Sequence, residues 1–159
     1  MRLLPLLAAL ALSACAAPRP PAAPAAPVAA PVATLAAAIE ADIRAVMKAQ
    51  VVAWNDGDIR GFMEGYARTD TLTFLSGGSV RTGWEEAYYG YVRAYPDQAT
   101  MGVLTFSELD VQPLSARHAL VWGRWRLQRA SDAPGGLFTL LFEATDDGWR
   151  VVHDHTSSE

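Results

Sequence analysis

Cysteine occurs once in the chain, at Cys15. No disulfide can therefore form within one molecule, and stability has to come from a packed core. Lysine is equally scarce, with Lys48 alone beside twelve arginines, and 17 acids against 13 bases leave a formal charge of −4. An acidic chain without a Lys/Arg cluster suits neither a phosphate backbone nor an anionic lipid surface, so no nucleic-acid partner is expected. A glycine-rich phosphate loop, a serine elbow and a cysteine nucleophile are also missing, which argues against covalent catalysis. Histidine appears three times, at 118, 153 and 155. The i, i+2 pair His153/His155 would need His118, Asp154 or Glu143 to complete a metal site, and no compact ligand motif gathers them. No metal and no cofactor are expected.

What is present begins with an export signal. Arg2 precedes an apolar run, Leu3 to Leu12, that is too short to remain as a bilayer-spanning helix and suits a signal h-region. It ends in Leu12-Ser13-Ala14-Cys15, which resembles the lipobox of bacterial lipoproteins. The resemblance implies a signal peptide over 1–14, lipidation of Cys15 and attachment to a membrane through several acyl chains. Ala16 stands where such proteins carry an aspartate for inner-membrane retention, so the expected destination is the periplasmic face of the outer membrane. Losing Arg2 takes the charge to −5, with 17 acids against 12 bases. Residues 15–33 are almost wholly Ala, Pro and Val. Prolines at 18, 20, 21, 24, 27 and 31 oppose a regular helix and favour an extended spacer.

The remainder, 34–159, is one domain's worth of chain. The 51% hydrophobic content is inflated by the Ala-rich N-terminus; within the domain apolar and polar residues alternate normally. Thr34 is placed to cap a helix from Leu35 to about Asn55, with Ile39, Ile43, Val46, Met47 and Val51 as its apolar stripe. Asp58 is placed to cap a second helix, Ile59 to about Tyr66. Thr71 to Leu75 reads as a strand, Ser76-Gly77-Gly78-Ser79 as its turn and Val80-Arg81 as a short return arm. A third helix runs from Trp84 to Tyr95, with Glu85 and Glu86 at its positive end. Period-two patterning then gives strands Met101–Gln112, Ala119–Arg129, Leu137–Thr145 and Trp149–His155. This is an α+β layout: three N-terminal helices covering one face of a curved antiparallel sheet.

Four pieces of this pattern, Trp54-Asn55-Asp56-Gly57-Asp58, Gly83-Trp84, Val121-Trp122-Gly123-Arg124-Trp125 and Gly148-Trp149-Arg150-Val151-Val152-His153-Asp154-His155-Thr156-Ser157, occur in the order and spacing of a known family. Over Leu35 to Ser157 the chain resembles the nuclear transport factor 2-like superfamily, in particular its SnoaL-like and DUF4440-like bacterial branch. The resemblance implies a cone-like, cystatin-like α+β barrel enclosing a pocket, and a homodimer formed through the outer face of the sheet. The superfamily holds isomerases, dehydratases, cyclases and plain binders, so the fold sets no reaction. The Tyr-plus-Asp arrangement of the steroid isomerases has no residue-by-residue counterpart in the sequence, nor does a His-Asp dehydratase pair.

Three sets of residues are candidates for function. On the last strand simple alternation puts Trp149, Val151, His153 and His155 on one face and Arg150, Val152, Asp154 and Thr156 on the other. An inward Trp149 face would offer His155 or His153 as general base, with Asp154 or a tyrosine such as Tyr66 or Tyr88 as orienting partner; otherwise the histidines are structural or at the rim. Trp54, Phe62, Tyr66, Trp84, Tyr88, Tyr91, Trp125 and Phe138 form the expected wall of a ligand pocket, each of them equally able to be plain core. On the strand Ala119–Arg129, Val121, Gly123, Trp125 and Leu127 should face the helices, with Gly123 leaving room for a ligand or an aromatic neighbour. Trp122, Arg124 and Arg126 should look outward, unless Arg124 reaches a ligand carboxylate. The favoured expectation is a lipid-anchored module binding a small apolar or aromatic ligand. A cofactor-free isomerase, lyase or hydrolase with a pocket histidine, and a structural envelope dimer, are the competing ones.

Overall fold

A computed structural model describes residues 29–159. The expected signal peptide, Cys15 and the part of the expected spacer up to residue 28 lie outside the described residues. The elements are α1 (Ala29–Asn55), α2 (Ile59–Met63), β1 (Thr73–Ser76), β2 (Ser79–Thr82), α3 (Trp84–Ala94), α4 (Gln98–Met101), β3 (Val103–Pro113), β4 (His118–Gln128), β5 (Gly135–Thr145) and β6 (Gly148–Thr156).

α1 starts earlier than Thr34, which lies inside the helix, and it runs through Pro31. The first turn tolerates a proline because its N–H groups have no intrahelical acceptor. The stripe Ile39, Ile43, Met47, Gln50 and Trp54 is buried at spacings of three and four. Asp58 does cap α2, accepting a 2.8 Å hydrogen bond from the Gly61 N–H. That helix stops at Met63, short of Tyr66. Tyr66 instead forms a parallel bridge with Val151, held by Val151 N–H to Gly65 O and Ala67 N–H to Val151 O, each 2.9 Å. A stretch read as helix is therefore a fragment of strand lying along β6. The short helix α4, capped by Asp97, was not legible in the periodicity.

Six strands form one open sheet in the order β2-β1-β6-β5-β4-β3. β3 through β6 make an antiparallel meander, and β1 joins β6 in parallel, a departure from the all-antiparallel expectation. Two bulges bend the sheet around the helices. In β3 the register shifts between Ser107 and Asp110, where Glu108 takes a positive φ of 53°. The second bulge lies in β6: Val151 pairs with Phe142 and His153 with Leu141, so Val152 is an extra residue without an opposite number. From that point the side-chain parity inverts. Trp149 and Val151 point inward, but the next inward residues are Asp154 and Thr156, so neither of the two faces that simple alternation offered is inward along the whole strand. Asp154 is 2% exposed, while His155 is exposed and His153 half-buried.

The core lies between α1–α3 and the concave face of the sheet, with Ile43, Met63, Val121, Phe142 and Val151 fully enclosed. Gly123 faces it as expected, and the space it leaves is taken by protein: a Cβ there would stand 2.9 Å from Ser107 O and 3.0 Å from Phe138. Trp122, Arg124 and Arg126 lie on the convex face, where Arg124 pairs with Glu108 (3.3 Å) and Glu159 (2.7 Å).

Candidate functional site

The concave side of the sheet and α3 leave a cavity of about 220 Å³. Its walls are aromatic. Trp54 from α1 stands edge-on to Phe62 (centroids 5.1 Å apart), to Tyr95 (4.8 Å) and to Tyr91 (5.9 Å). Phe74 of β1 meets Tyr91 in the same way at 5.6 Å. Trp125, Phe106 and Phe138 close the far end, with Leu104, Leu127 and Leu140 between. These edge-to-face contacts fix the rings to one another, so the space between them is held open by packing. α3 turns its small residues Ala87, Gly90 and Ala94 towards the cavity, at the spacing of one helix face.

Two of the tryptophans on this wall have their indole N–H committed elsewhere. Trp54 Nε1 donates to Met101 O at 3.3 Å and Trp125 Nε1 to Ser157 O at 3.0 Å. They present the cavity with carbon surface.

Two polar side chains are buried among the described residues, Gln50, which donates to Phe62 O at 3.2 Å, and the ionisable one, Asp154. Tyr66 donates its hydroxyl to Asp154 Oδ2 at 2.8 Å, and Thr156 Oγ1 donates to Oδ1 at 2.7 Å. Three features put this group in place: the β6 bulge turns Asp154 inward, the 65–67 bridge brings Tyr66 beside it, and the parallel β1 sets Phe74 across from it. Burial pushes the carboxyl up to about 6, against the opposing pull of the Thr156 and Tyr66 hydrogen bonds and of nearby His155. Burial first, and the Asp154 charge second, raise the Tyr66 and Tyr91 phenols well above their ordinary range. Both phenols stay protonated, so Tyr66 is the donor in its bond to the carboxylate. Each carboxylate oxygen receives one hydrogen bond from the protein and keeps capacity to accept another from a molecule in the cavity.

Six of the eight aromatic residues expected in the pocket wall line this cavity: Trp54, Phe62, Tyr66, Tyr91, Trp125 and Phe138. Trp84 and Tyr88 do not. They stack on each other at 5.3 Å at the N-terminal end of α3, with the Arg68 guanidinium 4.5 Å above Trp84 and the Trp84 indole bonded to Met63 O. Neither His153 nor His155 lines the cavity: the imidazoles that the enzyme alternative would use as base stand on the opposite face of the sheet, for the reason of parity given above. Of the residues offered as base or orienting partner, Asp154 and Tyr66 face in. The sequence reading missed Gln50, Phe74, Arg81 and Tyr95 as lining residues. Phe74 was detectable as an inward alternate of a short strand; Arg81 lies on an arm too short to show alternation, and Tyr95 sits past the end of α3. Among the described residues no group of three or more His, Cys, Asp or Glu side chains is placed to hold a metal ion.

Asp154 titrates from 3.8 when exposed to about 6 in the folded chain. Between these values the folded state holds more of this proton than the unfolded state does. Stability therefore falls as pH rises through that window, and the cost stays in full above it, on the order of 3 kcal/mol. Asp154→Asn, which removes the charge and keeps the shape, is expected to flatten the loss of stability between pH 4 and pH 6 in urea unfolding. Identical slopes for the two proteins would mean that the carboxyl is solvated.

Comparison with known proteins agrees with this architecture. A family model described as a SnoaL-like domain matches residues 43–158. A solved structure from Shewanella oneidensis MR-1, described as an NTF-2 like protein of unknown function, is 41% identical; the match covers 74% of this chain and 98% of that one, with a TM-score of 0.71. An NTF2-like protein of unknown function from Pseudomonas putida KT2440 shares the fold at 21% identity (76% and 87% covered, TM-score 0.65). So does a ketosteroid isomerase-like protein from Erwinia carotovora atroseptica, also at 21% (74% and 94% covered, TM-score 0.59). No protein of curated function matches. The family match, spanning the helices, the sheet and the cavity between them, makes this chain a member of the SnoaL-like family within the nuclear transport factor 2-like superfamily.

Proposed function

We propose that this chain is a binding protein for a small, largely apolar or aromatic molecule, held in the cavity between the sheet and α3. The observation that carries this reading is the pairing of an aromatic-walled cavity of about 220 Å³ with one buried carboxyl at its polar end. A cavity of about 150 Å³ lined by apolar side chains admits benzene, so the space here suits one ring with short substituents. The rings supply apolar area, and Asp154 orients a hydroxyl or N–H of the guest. The sequence pattern at Leu12-Ser13-Ala14-Cys15 supports an exported form carried on the membrane by acyl chains on Cys15, with the Pro-rich spacer holding the domain clear of the bilayer. The convex face, with Trp122 39% and Leu137 49% exposed, is the surface we assign to a second copy.

A second reading is favoured by Asp154 itself. A carboxyl raised to about 6 beside two protonated phenols can accept a proton from a bound molecule near neutral pH, in place of the histidines. A cofactor-free isomerisation or elimination would use it as base, with Tyr91 as donor to the substrate and Tyr66 holding the carboxylate.

Native mass spectrometry of the domain from Val32 onward, purified gently, tests both the occupant and the assembly. The expected result is a dimer carrying a small molecule, which then becomes the compound to assay for turnover against Asp154→Asn. A dimer that is empty and gains nothing from a mixture of apolar metabolites would contradict the binding reading and favour a structural role. For the anchor, Cys15→Ser is expected to abolish incorporation of labelled palmitate and release the protein from the membrane fraction. Unchanged labelling would rule out Cys15 as the attachment point.

A further inference from the structure

The inward row of side chains that contains Asp154 continues across the sheet. Arg81 on β2 pairs with Phe74 on β1, and Phe74 pairs with Asp154 on β6. Residues directly opposite one another share a face, so Arg81, Phe74 and Asp154 all look into the cavity, and all three line it. With neighbouring strands about 4.8 Å apart, the Arg81 and Asp154 backbones stand roughly 10 Å apart, with the Phe74 ring between them. Their charges do not meet.

Arg81 is half-buried at the cavity rim, against α3. Gly90 makes room for it: a Cβ at that position would lie 3.1 Å from Arg81 Nε and 3.3 Å from Cδ. The other arginines have protein partners or open water. Arg44, Arg68, Arg93, Arg117, Arg124 and Arg129 are in ion pairs, Arg60 lies by the Trp84 and Tyr88 rings, Arg150 donates to Trp149 O, and Arg126 is exposed on the convex face. Among the described residues Arg81 has no ion pair and no hydrogen bond. A guanidinium drawn partly out of water at the edge of an apolar space is unfavourable unless an acceptor meets it, and its forked donors match a carboxylate in a two-point contact.

We propose that the guest is a small carboxylic acid with an aromatic or alicyclic body, bound with its carboxylate on Arg81 and its far end towards Asp154. The inference rests on the binding reading above and adds the chemical class. Polarity is set by charge at both ends. The acid is drawn to Arg81 and repelled by Asp154, while a hydroxyl or amino group at the opposite end of the ring finds an acceptor in Asp154. A guest lying the other way would bring two carboxylates together and leave the guanidinium unused. The span between the two groups, about two strand spacings before the side chains reach inward, matches one six-membered ring with a short acidic arm.

The test is calorimetric titration of the full chain with matched acids and amides: phenylacetate and phenylacetamide, 4-hydroxyphenylacetate and 4-hydroxyphenylacetamide, cyclohexanecarboxylate and its amide. Each acid that binds is expected to bind at least tenfold more tightly than its amide. Arg81→Gln is expected to bring the two within twofold of each other without weakening the amide, and Arg81→Lys to leave an intermediate preference. An unchanged thermal midpoint in both variants confirms that the fold is intact. Acids and amides binding equally to the wild type, or an Arg81→Gln variant that weakens both alike, would overturn the carboxylate assignment and leave the binding reading standing. Binding by neither series would overturn both.

Discussion

The 2.8 Å hydrogen bond from Tyr66 to Asp154 joins two residues 88 positions apart, and the interior is arranged around the condition that this buried acid be satisfied. A carboxyl withdrawn from water on the concave face of a sheet is tolerated only with donors in place. Thr156 supplies one from the same strand and Tyr66 the other. Tyr66 reaches it because the chain leaves α2 early and runs alongside β6 through the Gly65–Ala67 contacts. Gly65 permits that path, since a Cβ there would collide with the Gln50 side chain at 2.5 Å. Once the pair is formed, the rings around it complete the wall, and α3 covers it with small residues.

The sheet makes the same point about polarity. One extra residue, Val152, exchanges the faces of a strand whose sequence alternates almost perfectly. Without it the cavity would hold imidazoles and the carboxyl would face water. With it, the acid lies inside and the histidines outside, which changes the group available at the site from a pair of imidazoles to a single raised carboxyl beside phenols. A bulge beside a binding site, re-aiming one side chain, is a recurrent use of this irregularity.

Much of the fold was readable beforehand because it depends on local patterning. The α1 stripe, the Asp58 cap, the Ser76–Ser79 turn and the inward series Val121, Gly123, Leu127 each follow from spacing or turn chemistry within a few residues. The site was less readable because it depends on register. Trp54, Phe62, Tyr66, Tyr91, Trp125 and Phe138 could be named from size and position, but the side on which the last strand shows Asp154 is decided by pairing with β5, and no property of Val152 announces it. Trp84 and Tyr88 were misplaced for a related reason. An aromatic-rich helix offers more than one face, and the choice between them is made by Arg68 stacking over Trp84 and by the Met63 carbonyl that receives its indole N–H. Arg81 escaped notice because a two-residue return arm carries almost no periodic signal; its significance lies in the neighbours it lacks.

Membership of the SnoaL-like family sets the scaffold and leaves the chemistry to the lining, as expected of a fold used for many purposes. The character of that lining depends on the orientation of Asp154. Carbon-detected NMR of the Asp154 side-chain carboxyl across a pH series reads it directly. A midpoint near 6 would fit a buried acid held by Tyr66 and Thr156 inside the cavity, whereas a midpoint near 3.8 would place the carboxyl in water and contradict the bulged register on which the site depends.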